Sequence, residues 1–135
     1  MATYEAVEAV SFPIGGAILK DIFVVINTSG QVVAAANGAA AIGVTLEAVT
    51  AAQYDSGDGQ VTVPVALIQK GGKCAVQMTA TSAIAVGDLV ASDTAGTAIE
   101  AATADTILGV CLEAAGVDAD QEVITILFHS PGVVV

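Results

Sequence analysis

The sequence has no tryptophan, no arginine and one histidine, with two cysteines and only two Tyr and three Phe in 135 residues. Each shortage excludes something. Without arginine, and with the three lysines Lys20, Lys70 and Lys73 set against fourteen acidic residues, the formal net charge is −11. Such a chain cannot neutralise phosphates, which argues against nucleic acid and against an anionic membrane surface as partners. The single imidazole, His129, lacks a second group for acid–base work, and neighbours on an extended strand such as Ser130 point to the opposite face. It reads as an exposed strand-end residue. No Gly-x-Ser-x-Gly elbow and no phosphate-cradling glycine loop occurs, so the chain is not expected to be an enzyme.

Cys74 and Cys111 match no zinc spacing. They read as buried free thiols, since cysteine packs as a small hydrophobe; a disulfide is the lesser alternative and needs oxidising surroundings. No cofactor and no metal site is expected. The few aromatics argue against the stacking platforms of a small-ligand or carbohydrate site. No apolar run reaches the roughly 20 residues of a membrane helix; the nearest, Val33 to Val44, is broken by Asn37 and two glycines. The N-terminus carries Glu5 and Glu8 and no basic residue, unlike an export signal.

What is present is small and apolar. Hydrophobic residues make up 55% of the chain and its mean hydropathy is +0.80, supplied mostly by Ala, Val and Ile, which suit pleated sheet. The length fits a single domain, and the acidic residues keep an apolar chain soluble. Two acidic loops, Asp55 to Gly59 and Asp118 to Glu122, invite comparison with calcium loops. The first lacks a carboxylate at its third position, and the second lacks the glycine turn and distal glutamate, so both read as solvated turns.

The chain repeats itself. "AIGVTLEAV" (Ala41 to Val49) returns as "ILGVCLEAA" (Ile107 to Ala115), 66 residues later. At that offset Ile18 matches Ile84, Val24 matches Val90, Gly30 matches Gly96, Ala35 matches Ala101, and Gly43 matches Gly109. The offset breaks where the first copy has the longer loop Ala51 to Gln60. "FVVINTSGQVV" and "LVASDTAGTAI" each read as two strands around a turn. Asn27 or Asp93 opens it by bonding the backbone two residues on, and Gly30 or Gly96 takes positive φ. Gly43 and Gly109 lie inside strands, which predicts a bulge or a close backbone approach. Gly71 and Gly72 read as a hairpin turn.

The fold class expected is therefore all-β: a small barrel or sandwich-like domain of two similar β-meander halves, with nine or so strands. The halves are expected to cover each other's apolar faces about a pseudo-twofold axis. Helix candidates are limited to Tyr4 to Val10 and Glu47 to Tyr54, neither with a clear cap pair. The expected organisation is an arm at residues 1–17, a β domain at 18–130 with half-units 18–68 and 84–129, and a tail at 131–135. Candidate partner contacts are Tyr4 and Phe12 of the arm, Glu47 and Glu113 at equivalent strand ends, and Val133, Val134 and Val135 of the tail. The termini are read either as docking onto another subunit or as folding back on their own domain.

The stretch Val86 to Gly116 resembles the core signature of bacteriophage capsid decoration, or cement, proteins. Gly87, Asp88, Val90, Asp93, Gly96, Leu108, Gly109, Val110, Leu112, Glu113 and Ala114 fill that signature. Cys111 stands where alanine is common, and no aromatic lies near Leu89 and Val90. The likeness is weaker over Phe23 to Ala48. The resemblance implies a non-catalytic protein, made in the host cytoplasm, that sits as homotrimers on the outside of the expanded icosahedral head. Its partner there would be the major capsid protein, which it would clamp against internal pressure. Two alternatives stand beside it: another virion part, such as a head fibre base or tail component, and a small ligand-binding β-barrel.

Overall fold

A computed structural model describes residues 9–56, 61–79, 83–114 and 123–133, the last five as backbone only. The described chain is almost entirely β. In the first half it runs β1 (Ala9–Pro13), β2 (Phe23–Ile26), β3 (Val32–Ala34), β4 (Gly43–Thr45), α1 (Ala51–Ser56) and β5 (Thr62–Leu67). A single 3-10 turn (Ile68–Lys70) then leads into the second half: β6 (Lys73–Gln77), β7 (Leu89–Ser92), β8 (Ala98–Glu100), β9 (Thr106–Glu113) and β10 (Val123–Val133). Two five-stranded antiparallel sheets result, ordered β1-β5-β4-β2-β3 and β6-β10-β9-β7-β8. These are open sheets, so the sandwich-like alternative holds and the closed barrel does not. In each half β4 or β9 steps over to pair with β2 or β7, so the meander carries one crossover.

The two orders are the same order, strand for strand. The equivalence reaches outside the half-units marked by the 66-residue offset. Phe12 pairs with Val63 as Val76 pairs with Ile124, and the isolated parallel bridges Ile14↔Val32 and Met78↔Ala98 also correspond. So β1, assigned by sequence to an arm, is the first strand of the first sheet, and β6 is its counterpart.

Local signals set the turns as expected. The Asn27 side chain accepts from the Ser29 and Gln31 amides, both at 2.9 Å, and Gly30 and Gly96 take φ of 79° and 80°. Asp93 instead bonds the next amide, Thr94, at 2.8 Å. At Gly43 a Cβ would collide with the Ala66 carbonyl oxygen, and at Gly109 it would lie 2.6 Å from that of Leu127. Close backbone approach, then, is why both strands need glycine there. Other expectations are corrected. Gly71 and Gly72 close no hairpin; they carry the chain from the first sheet to the second, with φ of 77° and 99°. Of the first helix candidate, Ala9 and Val10 are extended and the rest lies outside the described residues. The second helix is displaced to Ala51–Ser56 and does have a cap pair. The Thr50 amide donates to Gln53 Oε1 at 2.8 Å and the Gln53 amide to Thr50 Oγ1 at 3.2 Å, a capping box.

The halves do not meet about a twofold axis. The shared core holds Phe23, Val44 and Ala66 from one face of the first sheet, with Val90, Ile124 and Ile126 from the second. The repeat equivalents of Val90, Ile124 and Ile126 are Val24, Val63 and Val65, which lie in a separate cluster on the first sheet's other face, closed by Ile14, Ile18 and Ile22. The equivalents of Phe23, Val44 and Ala66 are Leu89, Val110 and Leu127 on the outside of the second sheet. Unlike faces are therefore joined. A twofold pairing would use the same patch from each half. The joint includes backbone bonds from Phe23 to the Gly96 carbonyl (2.7 Å), from Gly38 to that of Ser92 (2.8 Å), and from Gln77 to that of Asp21 (2.7 Å).

Candidate functional site

The joint is also tied by a polar cluster. Asp93 Oδ2 accepts the Thr79 hydroxyl at 2.8 Å, and Asp93 Oδ1 accepts Asn37 Nδ2 from the first half at 3.3 Å. Thr79 and Thr97 share a 2.6 Å hydroxyl contact. Both Asp93 carboxylate oxygens and both threonine hydroxyls are engaged, which makes the cluster a staple.

The cysteines are core side chains. Both are free and buried. Cys74 and Cys111 lie opposite Ile126 on the two strands flanking β10, two strand spacings apart. That puts their Cα atoms roughly 9–10 Å apart, beyond the roughly 7 Å limit for a bridge, so the disulfide alternative falls. Burial pushes the Cys74 thiol up to about 12, with Asp21 adding to it. Burial, then Asp88, raises Cys111. Burial likewise raises the Asp21 carboxyl, with Lys20 opposing. Protonated thiols are poor nucleophiles and poor metal ligands. Among the described residues no cluster of three or more His, Cys, Asp or Glu side chains could hold a metal, and no helix is long and apolar enough to cross a membrane.

The sequence-predicted contact residues fall on separate elements where they are described. Phe12 is half-buried on β1, packed on the first half's own cluster. Glu47 is exposed just past β4, while Glu113 ends β9 and accepts the Thr125 hydroxyl at 3.0 Å. Val133 closes β10 as backbone, opposite Thr106. Tyr4, Val134 and Val135, the side chain of His129 and the acidic loop from Asp118 lie outside the described residues, as does most of the loop from Asp55.

What the structure does bring together is apolar surface. The outer face of the second sheet shows Leu89 at 41%, Leu112 at 37%, Val123 at 42% and Leu127 at 39% exposure. A signal for it was in the sequence: "TILGVCLE" and "VITILF" are apolar on both faces, the pattern of strands covered on both sides. On the first half an open cleft of about 460 Å³ is lined by Ile18, Leu19, Val33 and Val49 among others. Another, of about 380 Å³, is lined by Phe12, Ile26, Leu67 and Lys70 among others. These surfaces can bind by removing apolar area from water.

No protein-family model and no curated protein matches the chain. Among solved structures it is similar to the head fibre gp8.5 N base of bacteriophage phi29, with a TM-score of 0.62 and 17% identity. The match covers 90% of this chain and 93% of that one, so the two share a fold along nearly their whole lengths.

Proposed function

We propose that this protein is a structural component of a bacteriophage particle, seated as a decoration protein on the outer surface of the icosahedral head. The observation that carries the reading is the whole-length likeness to a phage head fibre base. The decoration signature adds to it from a second direction, since Gly87 to Ala114 spans β7, β8 and β9 and includes Leu89 and Leu112 of the exposed apolar face. The proposed partner is the major capsid protein, engaged by homotrimers of this chain. Binding only the expanded lattice stabilises that lattice by mass action, and many weak contacts per shell add through multivalency. An acidic chain with no arginine fits a protein partner better than the genome.

A second reading follows from the same neighbour: this fold is the base of a head fibre. Copy number separates the two. Purified particles are analysed by quantitative mass spectrometry against the major capsid protein. Decoration predicts copies comparable to the capsid chain; a fibre base predicts a small fraction of that. Absence from particles would overturn both.

A further inference from the structure

Among the described residues, the joint inside the chain leaves two matching ends unused. Its giving side donates the Phe23 and Gly38 amides of the first half and also holds the Asp21 carbonyl; its receiving side offers the Ser92 and Gly96 carbonyls of the second and also holds the Gln77 amide, which donates to Asp21. At Gly96 a Cβ would collide with the Phe23 carbonyl oxygen. By the repeat, the giving side recurs on the second half as Gly87, Leu89 and Ala104, all exposed. The receiving side recurs on the first half as Pro13, Ile26 and Gly30, also exposed. Leu89 is 41% exposed where Phe23 is fully buried, and Ile26 is 44% exposed where Ser92 is fully buried. Gly30 keeps the torsion of Gly96, yet a Cβ on it would meet nothing within 4 Å. Backbone shape recurs too: Ala104 takes φ of 75° where Gly38 takes 71°.

We propose that a second copy of this chain covers these ends head to tail, the Leu89 face of one molecule seated on the Ile26–Gly30 end of the next, repeating between molecules the joint already present within each. The occupant follows from continuity: this chain already contains a surface of the receiving type that buries a surface of the giving type. The Leu89 amide would take the part of Phe23, donating to the Gly30 carbonyl. One bond is not copied, because Pro13 has no N–H to replace that of Gln77. Ile26, in place of Ser92, puts apolar area at the same spot. A contact between unlike surfaces closes into a ring when its rotation permits. The inference rests on the self-association in the proposed function, whose surfaces it names, and not on the capsid contact, which could fail while this holds.

The test is the mass of the full chain in solution, by light scattering after gel filtration and by native mass spectrometry over a wide concentration series. Wild type is expected as a closed multiple of 13.2 kDa. Leu89→Asp and Ile26→Asp each remove one end and are expected to be monomers with unchanged circular dichroism. Mixed, they form a species of twice the chain mass, since each variant retains the end the other has lost. Gly30→Asn serves if Ile26→Asp misfolds: asparagine tolerates the left-handed torsion, the position is open in the free chain, and the added side chain blocks the incoming molecule. A wild type that stays monomeric throughout overturns the proposal. So do variants that remain assembled, or a mixture that does not pair.

Discussion

Thr45 and Cys111 hold the same place in the two halves, and replacing Thr45 by valine isolates what one hydroxyl does. The backbone roles of the two residues are identical: their amides donate to the Ile22 and Asp88 carbonyls, and their carbonyls accept the Asp21 and Gly87 amides. Only the side chains differ. Thr45, fully buried, donates its hydroxyl to the Leu19 carbonyl at 2.7 Å and accepts the Ile22 amide at 3.2 Å. Valine keeps the shape and removes both bonds. Stranding a buried amide costs about 1–3 kcal/mol, and the Leu19 carbonyl, on an exposed residue, adds a few tenths to about 1 kcal/mol. Exchanging hydroxyl for methyl returns up to about 0.8 kcal/mol. The net loss is about 2 kcal/mol, or roughly 6–10 °C in Tm for a domain of this size. Cys111→Val, which removes no comparable pair of bonds, is expected to change stability by under about 1 kcal/mol. Urea unfolding at one fixed protein concentration measures both. A Thr45→Val loss below about 0.5 kcal/mol would refute the claim that the hydroxyl fastens the Leu19–Ile22 segment over the first core.

Two further outcomes follow from the cluster at the joint and from the thiols. Asp93→Ala removes the acceptor of Thr79, Asn37 and Thr94 and is expected to cost about 1–3 kcal/mol, with faster amide exchange at Gly38 and Thr94; unchanged exchange there would show that the cluster does not tie the halves. Cys74 keeps its proton in the native state up to about pH 12, whereas the unfolded thiol ionises near 9, so the native state binds more protons across that window and stability falls as pH rises through it. Cys74→Ser is expected to flatten that fall, read from urea midpoints at pH 8 and pH 10, and native protein at pH 8 is expected to resist a thiol reagent until urea is added.

Much of this fold is legible in the sequence, because its strongest signals are local. Asn27 and Gly30 define a turn within four residues, Asp93 and Gly96 define its copy, and a glycine inside each of two matched strands marks a tight approach. The capping box was legible too: Thr50 and Gln53 have the required spacing, with glutamine as the third residue on. The membership of β1 was not, because its offset from β6 is 64 rather than 66 residues and Phe12-Pro13-Ile14 shares no identity with Val76-Gln77-Met78. Least legible was the pairing of unlike faces. Periodicity tells which residues share a face of a strand, but Phe23 and Leu89 are both large and apolar at matched positions, and only the tertiary arrangement buries one and exposes the other. The contact residues proposed from the termini rested on their aromatic or apolar character, and of these Phe12 packs on the first half's own cluster.

Six of the eight left-handed residues among those described come in matched pairs, Gly30 with Gly96, Gly38 with Ala104 and Asp21 with Gly87; the other two, Gly71 and Gly72, lie between the halves. In two of the three pairs a glycine in one half stands where the other half has a residue with a Cβ, both with positive φ. What the two copies have kept in common is thus a list of bends rather than a list of side chains. Such a protein can diverge widely in its residues while holding its outline, so likeness of sequence fades long before likeness of shape.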